Sequence, residues 1–306
     1  MIGGTVLRSR LAELARDRRS NEDVRPVTTL LSSRSDRTHS TPHSSKSGAT
    51  RTHSHAIGVE GYLPGGEWRD ERGAVYVHER MRSEIERPRA DWNVLDMPPE
   101  AEEALRAMRE LDFTRVLFLD LETGGFSGSP VFLAGTMRWN GSDFVLRQYF
   151  ARHYGEEASL LRALGQQAGD FDALVTFNGK SYDVPFLRDR ARVHAVPLRL
   201  PEFHLDLLHP ARRRWRGRWM NCRLQTLERF VCRRRRCGDV PSDEVPALYH
   251  DFVRRGDPYR LLPVFHHNLL DVITMHGILW ALCRSEDGVR DPRDPVNSGL
   301  GSVFER

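Results

Sequence analysis

VLFLDLETGG, residues 116–125, is the stretch on which the reading of the fold turns. Val116 to Leu119 form a continuous apolar run, the pattern of a strand buried on both faces. Asp120 and Glu122 then follow two positions apart, so their side chains leave the same face and stand close together at the strand's end. Two like charges so placed repel each other unless a cation lies between them. The Gly124-Gly125 pair just afterwards lets backbone or a ligand approach closely. The stretch reads as part of a metal site, which needs at least one more carboxylate from elsewhere. Taken alone, the same D-x-E is also what a strand ending in two solvated acids looks like.

Outward from it, a second strand is expected over Val131–Trp139 and a third over Phe144–Phe150, joined at Asn140-Gly141, the favoured two-residue hairpin turn. A helix over Glu156–Gln167 leads to a fourth strand, Ala173–Phe177, and then to a helix from about Val184 to Val193, stopped by Pro197. A fifth short strand near Phe203–Leu207 precedes a helical C-terminal part. Its last helix starts at Asp257-Pro258, an N-cap and N1 pair, and runs to about Cys283. Three meandering strands, then helix, strand, helix, strand and helices, predict an α/β fold with a mixed five-stranded sheet flanked by helices. Ahead of it, 98–110 reads as a short helix. Residues 58–95 read as a small hairpin segment with a Pro64-Gly65-Gly66 turn and an alternating run at Ala74–Val77. Residues 1–57, rich in Ser, Arg and His and without apolar periodicity, are expected to be largely disordered, and 285–306 to form a flexible tail.

The 306 residues hold no apolar run of about 18 residues that could span a bilayer, and the N-terminus lacks the apolar stretch of a secretory signal. A soluble cytoplasmic protein is the expectation. The opening segment is Arg-containing and amphipathic, a short surface helix or, less simply, an organelle-targeting segment. Cys222, Cys232, Cys237 and Cys283 show neither C-x-x-C pairing nor the density of a disulfide scaffold. The net charge is only +4 but unevenly spread. Between 211 and 237 sit Arg212, Arg213, Arg214, Arg216, Arg218, Arg223, Arg229 and Arg233 to Arg236, with Glu228 the one acid and Trp215, Trp219 and Phe230 interleaved. Arginine forks suit phosphate and aromatic faces suit bases, so this segment reads either as a nucleic-acid surface, with Arg213 and Arg214 among its contacts, or as a solvated basic face.

Two further acids fit the first pair. Asp183 lies in VTFNGKSYDVPFL, after the fourth strand and at the start of its helix. Asp271 lies in FHHNLLDVITM, between Leu270 and Val272 and close to the apolar face of the last helix. An unpaired carboxylate there is costly, and a cation shared with the strand acids removes the cost.

FLDLETGG, FNGKSYDVPFL and HNLLD together resemble, in order and roughly in separation, the three motifs of the DEDD (DnaQ-like) group of RNase H-like 3′–5′ exonucleases, and more closely its bacterial YprB-type branch. The resemblance runs from about 112 to 284, the stretch it marks as the exonuclease domain, and is weaker over 58–95. It implies an RNase H-like fold and assigns Asp120, Glu122, Asp183 and Asp271 as ligands of two divalent ions, Mg²⁺ or Mn²⁺. Hard oxygen donors suit those ions, and two of them roughly 3.5–4 Å apart can clamp both the attacking and leaving oxygens of a phosphodiester. The group's general base is a His five positions before the last Asp or a Tyr four before it; His266 and His267 occupy those places here. On a regular helix 267 shares a face with 271 while 266 is turned away by roughly 140°, and the branch's HN pattern also selects His267, with His266 the alternative.

Thr123 and Gly124 fall where a terminal nucleotide would lie, and Asn178 and Tyr182 offer an amide and a ring beside the third acid. Asp206 is a supporting residue or a strand-end acid, and His204 and His209 are structural. The implied activity is hydrolysis of single-stranded DNA or RNA from a 3′ end, with a helicase or repair partner left open. The alternatives are a structure-specific endonuclease and a non-catalytic nucleic-acid-binding or scaffold protein. Where the branch has a compact Leu-Gly segment this chain has FVCRRRRCGDV, which predicts a reshaped basic loop.

Overall fold

The computed structural model describes residues 58–87, 103–236 and 238–284. The expected disordered extension at 1–57, the tail at 285–306, the end of the 58–95 segment, the start of the 98–110 helix and Cys237 lie outside the described residues. The strands are β1 (Gly65–Asp70), β2 (Gly73–Met81), β3 (Val116–Thr123), β4 (Val131–Trp139), β5 (Phe144–Phe150), β6 (Ala173–Thr176) and β7 (Phe203–Asp206). The α-helices are α1 (Glu103–Arg109), α2 (Glu157–Ala168), α3 (Asp183–Val193), α4 (Leu208–Trp215), α5 (Leu224–Phe230), α6 (Val245–Arg255) and α7 (Leu262–Leu282).

All seven strands join one sheet in the order β1-β2-β5-β4-β3-β6-β7. The meander β3-β4-β5 is antiparallel, and β6 and β7 add to β3 in parallel. These are the five expected strands, with the expected directions of pairing. The hairpin β1-β2 extends the same sheet, because β2 pairs antiparallel with β5 from Tyr76↔Phe150 to Met81↔Val145. An edge of nearly all-apolar β5 would otherwise offer unpaired backbone groups to another chain.

The β4-β5 connection departs from the two-residue turn. Trp139 and Phe144 are the last pair, leaving residues 140–143 as the loop. Asn140 shapes it by accepting at Oδ1 from the Ser142 and Asp143 amides, both at 2.9 Å. The Asn side chain stands in for a backbone turn, which Asn-Gly chemistry permits as readily as the tight hairpin.

The pleat of β3 divides the core. Val116 and Phe118 pack on the side of α1, α4, α5 and α7, while Leu117 and Leu119 pack on the side of α2 and α3. A further cluster joins Phe132, Leu133 and Phe150 to α6 and the start of α7. Asp257 is not the N-cap of the last helix: its Oδ1 accepts from the Tyr259 amide at 3.0 Å ahead of a 3-10 turn over Tyr259–Leu261, and α7 proper starts after Leu261. Among the described residues no helix is long and apolar enough to cross a membrane.

Candidate active site

Because Val116 and Phe118 face α7, Asp120 and Glu122 continue along that same face. Opposite Asp120 in β4 stands Gly135, and beyond it in β5 stands Gln148. The bare position at 135 admits Asn268 of α7. The Asn268 Nδ2 donates to Asp120 Oδ2 at 2.9 Å, and its Oδ1 accepts from Gln148 Nε2 at 2.9 Å. Gln148 Nε2 also donates to the Phe265 carbonyl at 2.8 Å. A three-strand row therefore orients Asp120 through one fully buried amide. The register shifts between Glu122 and Thr123, and a bulge there re-aims the strand end that carries the paired acids.

Asp271 follows Asn268 by three positions on α7 and so lies on the same edge of the helix. Asp183 is the first residue of α3, where the helix dipole favours a carboxylate, and it accepts from the Leu121 amide of β3. The acids come from three separate segments and feel one another. Burial, then the charges of Asp271, Glu122 and Asp183, push the Asp120 carboxyl well above the usual range. Burial with Asp271 and Asp183 does the same to Glu122. Asp183 is pushed up to about 7, chiefly by burial, against the pull of its backbone hydrogen bonds. Burial also raises Asp271, opposed by Arg236 and His267.

His267 is buried between two carboxylates. Its Nδ1 lies 2.7 Å from Asp239 Oδ1 and its Nε2 lies 3.5 Å from Asp271 Oδ2. His266 is exposed on the helix surface. Arg236 donates through Nη2 to Asp271 Oδ1, through Nε to Glu228 Oε2 at 2.5 Å and through Nη1 to Asp239 Oδ2 at 3.4 Å. Among the described residues no group of three or more His, Cys, Asp or Glu is arranged to hold a metal ion as it stands. In chemistry the set still suits one: hard carboxylate oxygens, partly withdrawn from water and mutually repelling, are the donors that Mg²⁺ and Mn²⁺ take.

A family model described as the RNase_H superfamily matches residues 117–283, more than half of the chain and every residue of this cluster. The chain belongs to the RNase H superfamily. That membership gives the cluster a nuclease-type fold as its setting. The chain is also 35% identical over 165 residues to the uncharacterized protein YprB of Bacillus subtilis (strain 168), covering 52% of this chain and 40% of YprB. It thus spans about two fifths of that relative's length. The family B DNA polymerase of the hyperthermophilic archaeon Pyrobaculum calidifontis overlaps with a TM-score of 0.44 at 17% identity, over 56% of this chain and 27% of that one.

Within this RNase H-like frame the other expected residues take varied places. Asn178 has a left-handed backbone, φ 65°, and its amide donates to Asp206 Oδ1 at 2.7 Å. Asp206 also accepts from the Lys180 and Leu208 amides at 3.1 and 3.0 Å, so this buried acid clamps the loop that delivers Asp183. Asp206→Ala strands three amides that are hard to re-solvate, and is expected to cost about 2–4 kcal/mol in urea denaturation. His204 hydrogen-bonds Thr176 Oγ1 at 2.8 Å, and burial pushes it down to about 4. Tyr182 is exposed at the start of α3. Gly124 donates its amide to the Pro130 carbonyl at 2.9 Å, and its own carbonyl accepts from His250 Nε2 at 3.2 Å. Thr123 is half-buried at the end of β3.

The basic segment does not present its aromatic rings. Trp215 is fully buried, and Trp219 stacks on Phe230 with centroids 5.6 Å apart. Hydrophobic area is worth more in the core than in water, and Trp215 at the end of α4 and Trp219 in the following loop pack on the cluster that includes α7. Arg214 donates to the Leu282 carbonyl at 3.0 Å and to the Arg284 carbonyl at 2.6 Å, satisfying the free end of α7 rather than facing the acids. Arg213 is exposed on α4. Asn268, Gln148, Gly135, Asp239 and the inward role of Arg236 were not singled out by sequence. Strand register would have paired 135 with 120, and helical spacing would have put 268 beside 271. Nothing local marks Asp239 as the partner of a histidine in α7.

Proposed function

We propose that this chain is a metal-dependent nuclease that removes nucleotides from the 3′ end of single-stranded DNA or RNA. The observation that carries the reading is the convergence of Asp120, Glu122, Asp183 and Asp271 from β3, α3 and α7 into one half-buried, mutually repelling set. Such a set is costly to a fold that has no use for it. The four carboxylates would hold two divalent ions, Mg²⁺ or Mn²⁺, which supply an acidified water and charge stabilisation at the departing 3′ oxygen.

The remaining work falls to the chain. Asn268 fixes the rotamer of Asp120, and Leu121 and the α3 N-terminus fix Asp183. Asp239 receives the Nδ1 proton of His267, which leaves the lone pair on Nε2, on the side of Asp271, to take a proton from the attacking water. His266, exposed one position earlier, is the alternative base. Thr123 and Gly124 at the end of β3, Asn178, and exposed Tyr182 border the acids and would contact the terminal nucleotide. Arg213 and the other outward arginines would hold the backbone of the strand.

The test is a time course on 5′-labelled single-stranded DNA and RNA with Mg²⁺ or Mn²⁺, beside closed circular substrates and an Asp120→Ala control. A ladder shortening from the 3′ end on linear strands, with circles intact and no activity in the control, is the expected result. Cut circles would make the protein an endonuclease. Binding without cleavage in every lane would remove the enzymatic reading.

A further inference from the structure

The Arg233–Arg236 run alternates. Arg233 and Arg235 are exposed, while Arg234 and Arg236 turn inward to acids. Arg236 is almost wholly buried, 7% exposed at its side chain, and its one guanidinium bonds Glu228, Asp239 and Asp271. The other oxygen of Asp271, Oδ2, lies 3.5 Å from His267 Nε2. Glu228, 2% exposed, still has one oxygen, Oε1, without a hydrogen bond, and Arg234 Nη1 lies 3.6 Å from it.

A guanidinium cannot shed its charge at any pH the fold survives, so an ionised Asp271 is released only when another cation competes for it. Arg236 touches the four-acid set directly, reaching it through Asp271. We infer that Arg236 is the resident counter-ion of the carboxylate cluster, bound to Asp271 in the metal-free chain and displaced from it when a divalent ion enters. The spare Oε1 of Glu228 is the acceptor to which the released Nη2 can turn, while the Nε bond to the other Glu228 oxygen keeps the side chain tethered. Arg236 on this account is a positioning residue that sets how tightly the site takes its metal. This inference rests on the metal-site reading above. It adds a competition that a purely structural ion pair would not produce.

The experiment is Mn²⁺ binding to the full chain without substrate, read by the loss of the free Mn²⁺ paramagnetic resonance signal. Wild type, Arg236→Gln and Arg236→Lys are compared, with melting of each variant followed alongside. Arg236→Gln is expected to bind Mn²⁺ at least tenfold more tightly than wild type, and Arg236→Lys to stay within about threefold of it, because only the first removes the competing charge. Methylguanidinium added to Arg236→Gln should weaken its Mn²⁺ binding again and leave wild type unaffected. Equal or weaker Mn²⁺ binding by folded Arg236→Gln overturns the inference while leaving the metal site standing. No Mn²⁺ binding in any folded variant overturns both. If Arg236→Gln does not fold alone, saturating Mn²⁺ must restore its folded far-UV spectrum, since the ion takes the place of the lost cation. A chain that stays unfolded at saturating Mn²⁺ also overturns the inference.

Discussion

Replacing Asp120 by Asn is expected to abolish strand cleavage, by on the order of a thousandfold or more, and at the same time to raise the melting temperature of the metal-free protein. Both effects have one cause. Asn keeps the shape of Asp and can still accept from Asn268 Nδ2, so the Gly135–Asn268–Gln148 row survives. What is lost is one charge from a cluster in which burial and three neighbouring acids hold Asp120 far above its ordinary pKa. A carboxyl raised on folding binds more protons in the folded than in the unfolded chain, so metal-free stability falls as pH rises through the folded value. Burial lowers His78, His204 and His266, which gives the opposite slope, but these are neutral in both states above their ordinary value of 6.5. Between pH 6.5 and 8 the decline therefore belongs to the acids, with Asp183 at about 7 titrating inside the window. Melting curves across that range should fall for metal-free wild type and fall less for Asp120→Asn. A gain of about 1 kcal/mol corresponds to roughly 2–4 °C for a domain of this size. Lower stability of Asp120→Asn at pH 8 would mean that the acids do not strain the fold.

Gly135→Ala carries the second large expectation, and its sign runs against the usual benefit of replacing glycine in a strand. A Cβ at 135 would stand 2.0 Å from Asn268 Oδ1 and 2.7 Å from its Cγ. The flanking strands β3 and β5 prevent β4 from moving aside, so Asn268 must leave. Its departure takes one of the two acceptors of Gln148 Nε2, moves the Asn268 amide off its partners and frees Asp120 from its orienting bond. Overpacking costs about 1–3 kcal/mol and each buried group left without a partner about the same, so a loss of about 2–4 kcal/mol in urea denaturation is expected, together with loss of cleavage. The two positions are coupled through one contact. Asn268→Ala opens the space a Cβ needs, so adding Gly135→Ala to it should cost almost nothing further. Additive losses would show that Gly135 is there for another reason.

Much of this fold is legible in local chemistry. β4 and β5 begin and end where alternation and turn residues place them, and β3 reads as the buried strand because its first four residues are apolar without a break. Asp120, Glu122 and Asp271 stand out because each interrupts an apolar element, and a charge in such a place needs a reason. The arginine-rich stretch misleads where composition is read as surface. Trp215 and Trp219 are interleaved with arginines in the chain but pack on the core, and the half-buried Phe230 stacks on Trp219, because the helix end at Trp215 and the loop after it turn the rings inward.

The sequence by itself determines which elements form and which residues can do chemistry, because helix and strand periodicity, capping and turn preferences act within a few residues. Only the tertiary structure decides that Gly135 makes room for Asn268, that Asp239 orients His267, that Arg236 occupies Asp271 and that the 65–81 hairpin widens the sheet along β5. These pairings join segments tens to more than a hundred residues apart. They are chosen by volume, burial and charge once the sheet has formed, and no local pattern encodes them.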